Sequence, residues 1–362
     1  MRRSRKVMLI LAAIIGVAAL AVQQFQGAIG MAILESVVGN RVGRDATKGL
    51  ADGLHVALCG TGSPLPNLSR AGPCQVVIAG RHMFVVDAGE GSARNIALMG
   101  LPNGRIEAVF LTHFHSDHID GMGPMMMLRW TGAASKSPLP VYGPTGVDRV
   151  IAGFNSAYAI DNGYRTAHHG VALVPPSGGG ATAIPFTLPP AGQGDTMLVW
   201  NKDGLKVTAF RVDHGPIDPA VGYRFDYKGR SVVISGDTKP VSSLVAAARG
   251  ADLLIHEALQ PNLVRLITNG LAAKGIDNTA QITRDILNYH TTPEEAAKQA
   301  SAAGVKQLVF SHIVPAIPSR FFYPTFLGNA ATHFSGSMAV GEDGMMFSLP
   351  AGTPDIVQTR LM

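Results

Sequence analysis

His113-Phe114-His115-Ser116-Asp117-His118 sets three imidazoles and one carboxylate within six positions, directly after the largely apolar run Ile106–Thr112. Alternating β-formers followed by a dense ligand cluster predict a strand that ends in a metal-binding loop. Neutral imidazole and carboxylate oxygen suit zinc, manganese or iron, and no sulfur is offered. One metal seldom takes four ligands from one short loop, so the cluster points to two cations side by side. A histidine-rich surface loop is the competing explanation. It leaves unexplained why His214, Asp237 and His312 each sit at the end of an apolar run.

The pattern H-x-H-x-D-H resembles the signature of the metallo-β-lactamase-fold hydrolases. The resemblance covers about Leu54 to Pro350. It includes Gly60-Thr61-Gly62-Ser63-Pro64, Val86-Asp87-Ala88-Gly89-Glu90-Gly91, Val141-Tyr142-Gly143-Pro144, Ser235-Gly236-Asp237-Thr238, Leu254-Ile255-His256-Glu257-Ala258 and Phe310-Ser311-His312. That ordered set is similar to the branch containing ribonuclease Z and the zinc arylsulfatase-like enzymes. The fold it implies is α+β, a four-layer αβ/βα sandwich with a metal site at the shared edge of two sheets.

By this resemblance His113, His115 and His214 would hold one metal. Asp117, His118 and His312 would hold the second, and Asp237 would bridge them. The cofactor expected is a pair of divalent ions, zinc first, with manganese or iron as alternatives. Two cations a few Å apart depress the pKa of a shared water toward neutrality and stabilise charge building on substrate oxygens. Asp87 and Glu90 follow the run His82–Val86. Asp87 is expected beneath the site, orienting ligands, although a turn-forming Asp before Gly reads the same locally. In ribonuclease Z-like enzymes a Glu and a second His form a pair that protonates the leaving group. His256-Glu257-Ala258-Leu259 and His290-Thr291-Thr292 match those loops in shortened form. Glu257 and His290, with Asp117, are therefore the catalytic candidates. Thr292-Pro293-Glu294-Glu295 also reads as a helix cap and first turn.

Apolar residues make up 46% and charged residues 15% of the 362, which fits a globular protein and excludes a disordered one. The net charge is +5, but Arg2, Arg3, Arg5 and Lys6 supply four of those charges, and the rest of the chain is nearly neutral. Those four precede Val7–Val22, wholly apolar apart from Gly16, in the order of a secretory signal. Residues 1–22 are expected to be a signal peptide or membrane anchor, and the protein to be exported, periplasmic or membrane-anchored. Residues 23–48 read as a linker or helix, 49–350 as the hydrolase domain and 351–362 as a tail. Cys59 and Cys74 could face each other in a hairpin as a disulfide or remain two buried thiols.

Strands are predicted over Leu54–Cys59, Gln75–Ala79, His82–Val86, Ala108–Thr112, Lys206–Val212, Ala220–Tyr227, Ser231–Ser235, Asp252–His256 and Gln307–Ser311. Helices are predicted over Ala93–Met99, Asp120–Trp130, Val241–Arg249 and Pro293–Ala303. Val174–Asp195 reads as a flexible surface insertion, and His168-His169 as surface loop.

The activity expected first is binuclear hydrolysis of small phosphodiester or sulfate esters. A ribonuclease Z-type tRNA 3′ endonuclease is the first alternative. That family inserts a long basic arm between the third-motif His and the bridging Asp, whereas His214 and Asp237 are joined here by only Gly215–Gly236. A lactonase or β-lactamase-like hydrolase is the second alternative. The partners expected are a small-molecule ester, no nucleic acid, a membrane through the amino-terminal segment alone, and a second copy in a homodimer.

Overall fold

A computed structural model describes residues 2–362, with side chains from Arg5 onward. Met1 and the side chains of Arg2 and Arg3, part of the basic leader, lie outside the described residues. The chain divides into two compact units, residues 1–45 and 46–362. In the first, Arg2–Arg41 is one unbroken helix. Its stretch Arg5–Arg41 is long and apolar enough to cross a membrane. The helix therefore runs well past residue 22, the boundary expected from the apolar core.

The second unit is built on two sheets. The chain contributes β1 (Gly53–Gly60), β2 (Cys74–Ala79), β3 (His82–Val86), β4 (Ala108–Phe110), β5 (Leu139–Pro144) and β6 (Ala181–Phe186) to the first. It then builds the second from β7 (Thr196–Lys202), β8 (Leu205–Arg211), β9 (Val221–Tyr227), β10 (Arg230–Ile234), β11 (Leu253–Leu259), β12 (Gln307–Val314) and β13 (Ser337–Val340). It returns to the first with β14 (Met345–Pro350) and β15 (Val357–Arg360). The first sheet runs β15-β14-β1-β2-β3-β4-β5-β6 and the second β13-β12-β11-β10-β9-β8-β7.

Strands buried on both faces explain why β1, β3, β10 and β11 read as near-continuous apolar runs. The inner faces meet in one core that includes Phe84, Phe110, Tyr223, Phe225 and Phe347. Helices Ser92–Leu98, Met122–Ala133 and Val147–His169 cover the outside of the first sheet. Ser242–Ala247, Pro293–Ala303 and Tyr323–Leu327 cover the outside of the second. The result is the four-layer αβ/βα sandwich.

Three expectations are corrected. Val174–Asp195 is not a free insertion, because Ala181–Phe186 pairs in parallel with β5 as an edge strand. Its Pro185 is tolerated because an edge strand needs only one ladder of hydrogen bonds. His168 and His169 close the 23-residue helix Val147–His169 rather than lying in a loop. Residues 351–362 do not stand apart as a tail, since Val357–Arg360 pairs antiparallel with β14. The structure also joins Cys59 and Cys74 in a disulfide at the loop end of the β1–β2 hairpin. Between His214 and Asp237, Gly215–Gly236 contains β9, β10 and the turn that joins them.

Candidate metal centre

The ligand candidates converge where the carboxyl ends of both sheets meet. β4 ends at Phe110, and the loop after it leads into a single helical turn, Ser116–Ile119, carrying Asp117 and His118. That turn needs backbone beside it. A Cβ on Gly89 would lie 2.3 Å from the Asp117 carbonyl oxygen, so only glycine fits there. Asp237 follows β10 through Gly236, whose φ of +62 and close approach to Val221 again call for glycine. His312 is the extra residue of a β-bulge, since Glu257 pairs with Ser311 but Ala258 pairs with Ile313. Its φ of +45 is unusual for a side chain of this size and turns it into the site.

His113, His115, His214 and Asp237 form one group of ligand atoms lying within 4.8 Å of one another. His113 Nε2 lies 3.1 Å and His214 Nε2 3.3 Å from His115 Nδ1. Asp117, His118 and His312 form a second group. His312 Nε2 lies 3.2 Å and His118 Nε2 3.6 Å from Asp117 Oδ2. Asp237 Oδ2 stands between them. It is 3.2 Å from His312 Nε2, 3.4 Å from His118 Nε2, 3.8 Å from His214 Nε2 and 3.9 Å from His113 Nε2. One oxygen in reach of both groups is what a bridging ligand requires. Asp237, His290 and His312 form a third, overlapping group.

Other contacts fix the ring tautomers. His118 Nδ1 donates to Asp87 Oδ2 at 2.8 Å. Asp87 also accepts from the Thr112 amide and hydroxyl, and that hydroxyl accepts from His113 Nδ1 at 3.1 Å. His214 Nδ1 donates to the Tyr289 carbonyl at 3.0 Å. In each case Nε2 is left with its lone pair facing inward. Thr112 and Tyr289 were not singled out from the sequence. Thr112 had a signal, lying between β4 and the first ligand, whereas Tyr289 acts through its backbone and had none.

The donor set fits cations. His118 Nε2 and Asp237 Oδ1 are buried with no hydrogen-bond partner, the state of atoms whose partner is an ion. Electrostatics agree. Burial works against charge on His118, yet Asp237, Asp117 and Asp87 raise its pKa well above the ordinary range. Burial likewise opposes charge on His312, and Asp237 and Asp117 hold it at about 8. Buried carboxylates thus demand positive charge at this spot, as protons or as metal.

Glu257 and His290 stand beside the two groups. His290 Nδ1 donates to Glu257 Oε1 at 3.0 Å, and the Thr238 and Thr291 amides donate to the same oxygen at 3.1 Å. The His290 and His312 rings stack with centroids 5.5 Å apart. The helix-cap reading of the His290 segment holds. Thr292 and Glu295 form a complete capping box on Pro293–Ala303, and that helix start holds His290 against Glu257.

A two-sheet sandwich with imidazoles and carboxylates gathered at the shared sheet edge defines a metal-dependent hydrolase of the metallo-β-lactamase fold. A family model for the beta-lactamase superfamily domain matches residues 82–313. Ribonuclease Z of Mycobacterium bovis (strain BCG / Pasteur 1173P2) is 38% identical over 293 residues, 80% of this chain and 96% of the relative. Ribonuclease Z of Mycolicibacterium gilvum is 35% identical over 293 residues. The crystal structure of human tRNase Z, short form, superposes with a TM-score of 0.56 at 25% identity, over 82% of this chain and 99% of that one. The fold protein YhfI from Bacillus subtilis gives 0.57 at 20% identity over 82% and 99%. The chain belongs to the beta-lactamase superfamily, in its ribonuclease Z branch.

These relatives correct one expectation. The mycobacterial relatives and the human structure are named as ribonuclease Z and tRNase Z, which overturns the exclusion of nucleic acid as a partner. The short Gly215–Gly236 connection does not separate this chain from them. The mycobacterial alignment spans almost all of the relative and 80% of this chain, leaving room for no large net insertion. The arylsulfatase-like reading finds no counterpart among the relatives named here.

Proposed function

We propose that the chain is a binuclear metal-dependent phosphodiesterase of the ribonuclease Z type, cutting a phosphodiester bond in RNA. The observation that carries this reading is Asp237 Oδ2 within 4 Å of imidazoles from both ligand groups, beside a buried Glu257–His290 pair. The relatives' names agree with it. His113, His115 and His214 would hold one cation, Asp117, His118 and His312 the other, and Asp237 both. The cations, zinc first, would supply a nucleophile at neutral pH and neutralise charge on the phosphoryl oxygens. Asp87 and Thr112 keep His118 and His113 turned inward. Glu257 holds His290 so that its other ring nitrogen can give a proton to the departing oxygen.

A second reading is hydrolysis of a small phosphodiester or sulfate ester outside the cytoplasm. The buried Cys59–Cys74 disulfide and the apolar helix Arg2–Arg41 favour it. In that reading the basic residues at the start of the helix stay on the cytoplasmic side, and the hydrolase unit lies across the membrane.

The deciding experiment loads the full chain with zinc in detergent. It compares a precursor tRNA bearing a 3′ trailer with bis-p-nitrophenyl phosphate and p-nitrophenyl sulfate. Cleavage of the precursor at one position supports the first reading. Turnover of the small esters alone supports the second. No turnover of any of them, with about two zinc ions bound per chain, refutes both.

A further inference from the structure

Beside the metal centre lies a pocket of about 250 Å³. His115, Asp117, Asp237, His290 and His312 line it. Its apolar wall is formed by Leu65, Ile282, Ile286, Tyr289 and Val314, and Thr279 and Thr283 line it as well. The isoleucines come from the helix Asp277–Asp285 and the turn Ile286–Asn288 after it. Leu259 and Val264 back this wall, with Leu65 and Ile286 packed against them and Val314. Ile282 nevertheless stays 60% exposed at the rim. No Lys or Arg is among the residues that line the pocket. The wall therefore offers nothing to pair with a second phosphate, and much to cover an uncharged ring.

The geometry points to a subsite for a flat apolar ring, carried by the substrate on the His290 side of the scissile ester. This rests on the ester-hydrolase reading above. The ring is an aryl group or a nucleobase, which present the same apolar face to Ile282 and Ile286. The pocket is continuous with His290, so a ring seated there places the departing oxygen beside the imidazole. Covering roughly 50 Å² of apolar surface, at about 25 cal/mol per Å², corresponds to nearly tenfold in affinity.

Titration calorimetry on the zinc-loaded full chain in detergent tests this without turnover. Phenylphosphonate should bind about tenfold tighter than methylphosphonate. Uridine 5′-monophosphate against ribose 5-phosphate asks the same of a nucleobase. Preference for either ring, or both, supports the subsite and identifies its source. Ile282→Asp, at an exposed position that tolerates charge, and Ile286→Ala should each erase most of the preference with zinc content unchanged. Equal affinity within both pairs overturns the subsite while leaving the metal centre standing. A preference that survives both substitutions also overturns it. No binding of any of the four compounds overturns the subsite and the ester-hydrolase reading together.

Discussion

Replacing Glu257 by Gln tests the proposed proton-transfer role apart from the metal centre. Glu257 is 3% exposed, and its Oε1 accepts from His290 Nδ1, the Thr238 amide and the Thr291 amide at 3.0–3.1 Å. Its Oε2 has no partner. The amide keeps an acceptor but removes the charge from three hydrogen bonds, at about 1 kcal/mol each. It also places an NH2 group where no acceptor waits. Relief of a buried, uncompensated charge offsets part of that cost, leaving a net loss of roughly 1–2 kcal/mol. A melting temperature lower by a few degrees is the expected stability readout. The kinetic effect should depend on the leaving group. Esters with alkoxide leaving groups should slow about 100-fold, the scale of a general acid, because a neutral amide no longer supports the protonated His290. A p-nitrophenolate ester, which departs without help, should slow by less than about threefold. The zinc content of the loaded chain should be unchanged. The assay is kcat across a series of phosphodiesters of rising leaving-group pKa, with elemental analysis alongside. A uniform loss across the series would refute proton delivery, and loss of zinc would move Glu257 into the metal-binding set.

Asp237→Ala should abolish turnover and lower bound metal, measured by elemental analysis, because one oxygen is shared by both groups. Asp87→Asn should weaken zinc affinity by roughly 10–100-fold in a competition with a chelator, since it loses the carboxylate that turns His118 inward. The pair Cys59→Ser and Cys74→Ser should cost about 3 kcal/mol in urea unfolding, from releasing a closed loop of 15 residues. Glu342 is held by Arg320, and also by Arg360 and Tyr323, with its pKa lowered to about 2 from 4.5. A depressed carboxylate stabilises the fold above its unfolded pKa, so this contribution should fade as pH falls from about 4.5 to about 2. Glu342→Gln should flatten the acid-unfolding curve in that window alone.

The metal centre was legible because ligation demands fixed residue types at fixed chain positions. His113, His115, Asp117 and His118 lie in one loop, and His214, Asp237 and His312 each sit near a strand end. The strands around them were legible because burial on both faces leaves long apolar runs. The helices Val147–His169 and Pro261–Ala272 were not foreseen. The first has glycine, β-branched and exposed polar residues throughout, and only Val147 and Ile151 are fully buried, so contacts made along it by Phe154, Asn155, Tyr158 and Thr166 sustain it. Edge strand β6 was obscured by Pro185 and the glycines before it. Tyr289 contributes a carbonyl, which every residue has. The ring pocket was invisible because Leu65, Ile282 and Val314 are far apart in sequence and ordinary in type. Nucleic acid was excluded from net charge and a missing arm, neither of which reports on the centre itself.

The division of ligands between the sheets has a consequence for how this protein could be taken apart. The first sheet's loops supply two candidates to each cation, and the second sheet completes each set with His214 or with His312 from the β12 bulge and adds the shared Asp237. Neither half holds a full set. A cut in the Pro- and Gly-rich segment 187–195, between β6 and β7, would give two fragments, the second carrying β14 and β15 of the first sheet along with the whole second sheet. Each would expose core surface that the other covers in the whole protein. Their reassembly would be gated by zinc, so the same cations that serve hydrolysis would act as the reporter in a fragment-complementation assay.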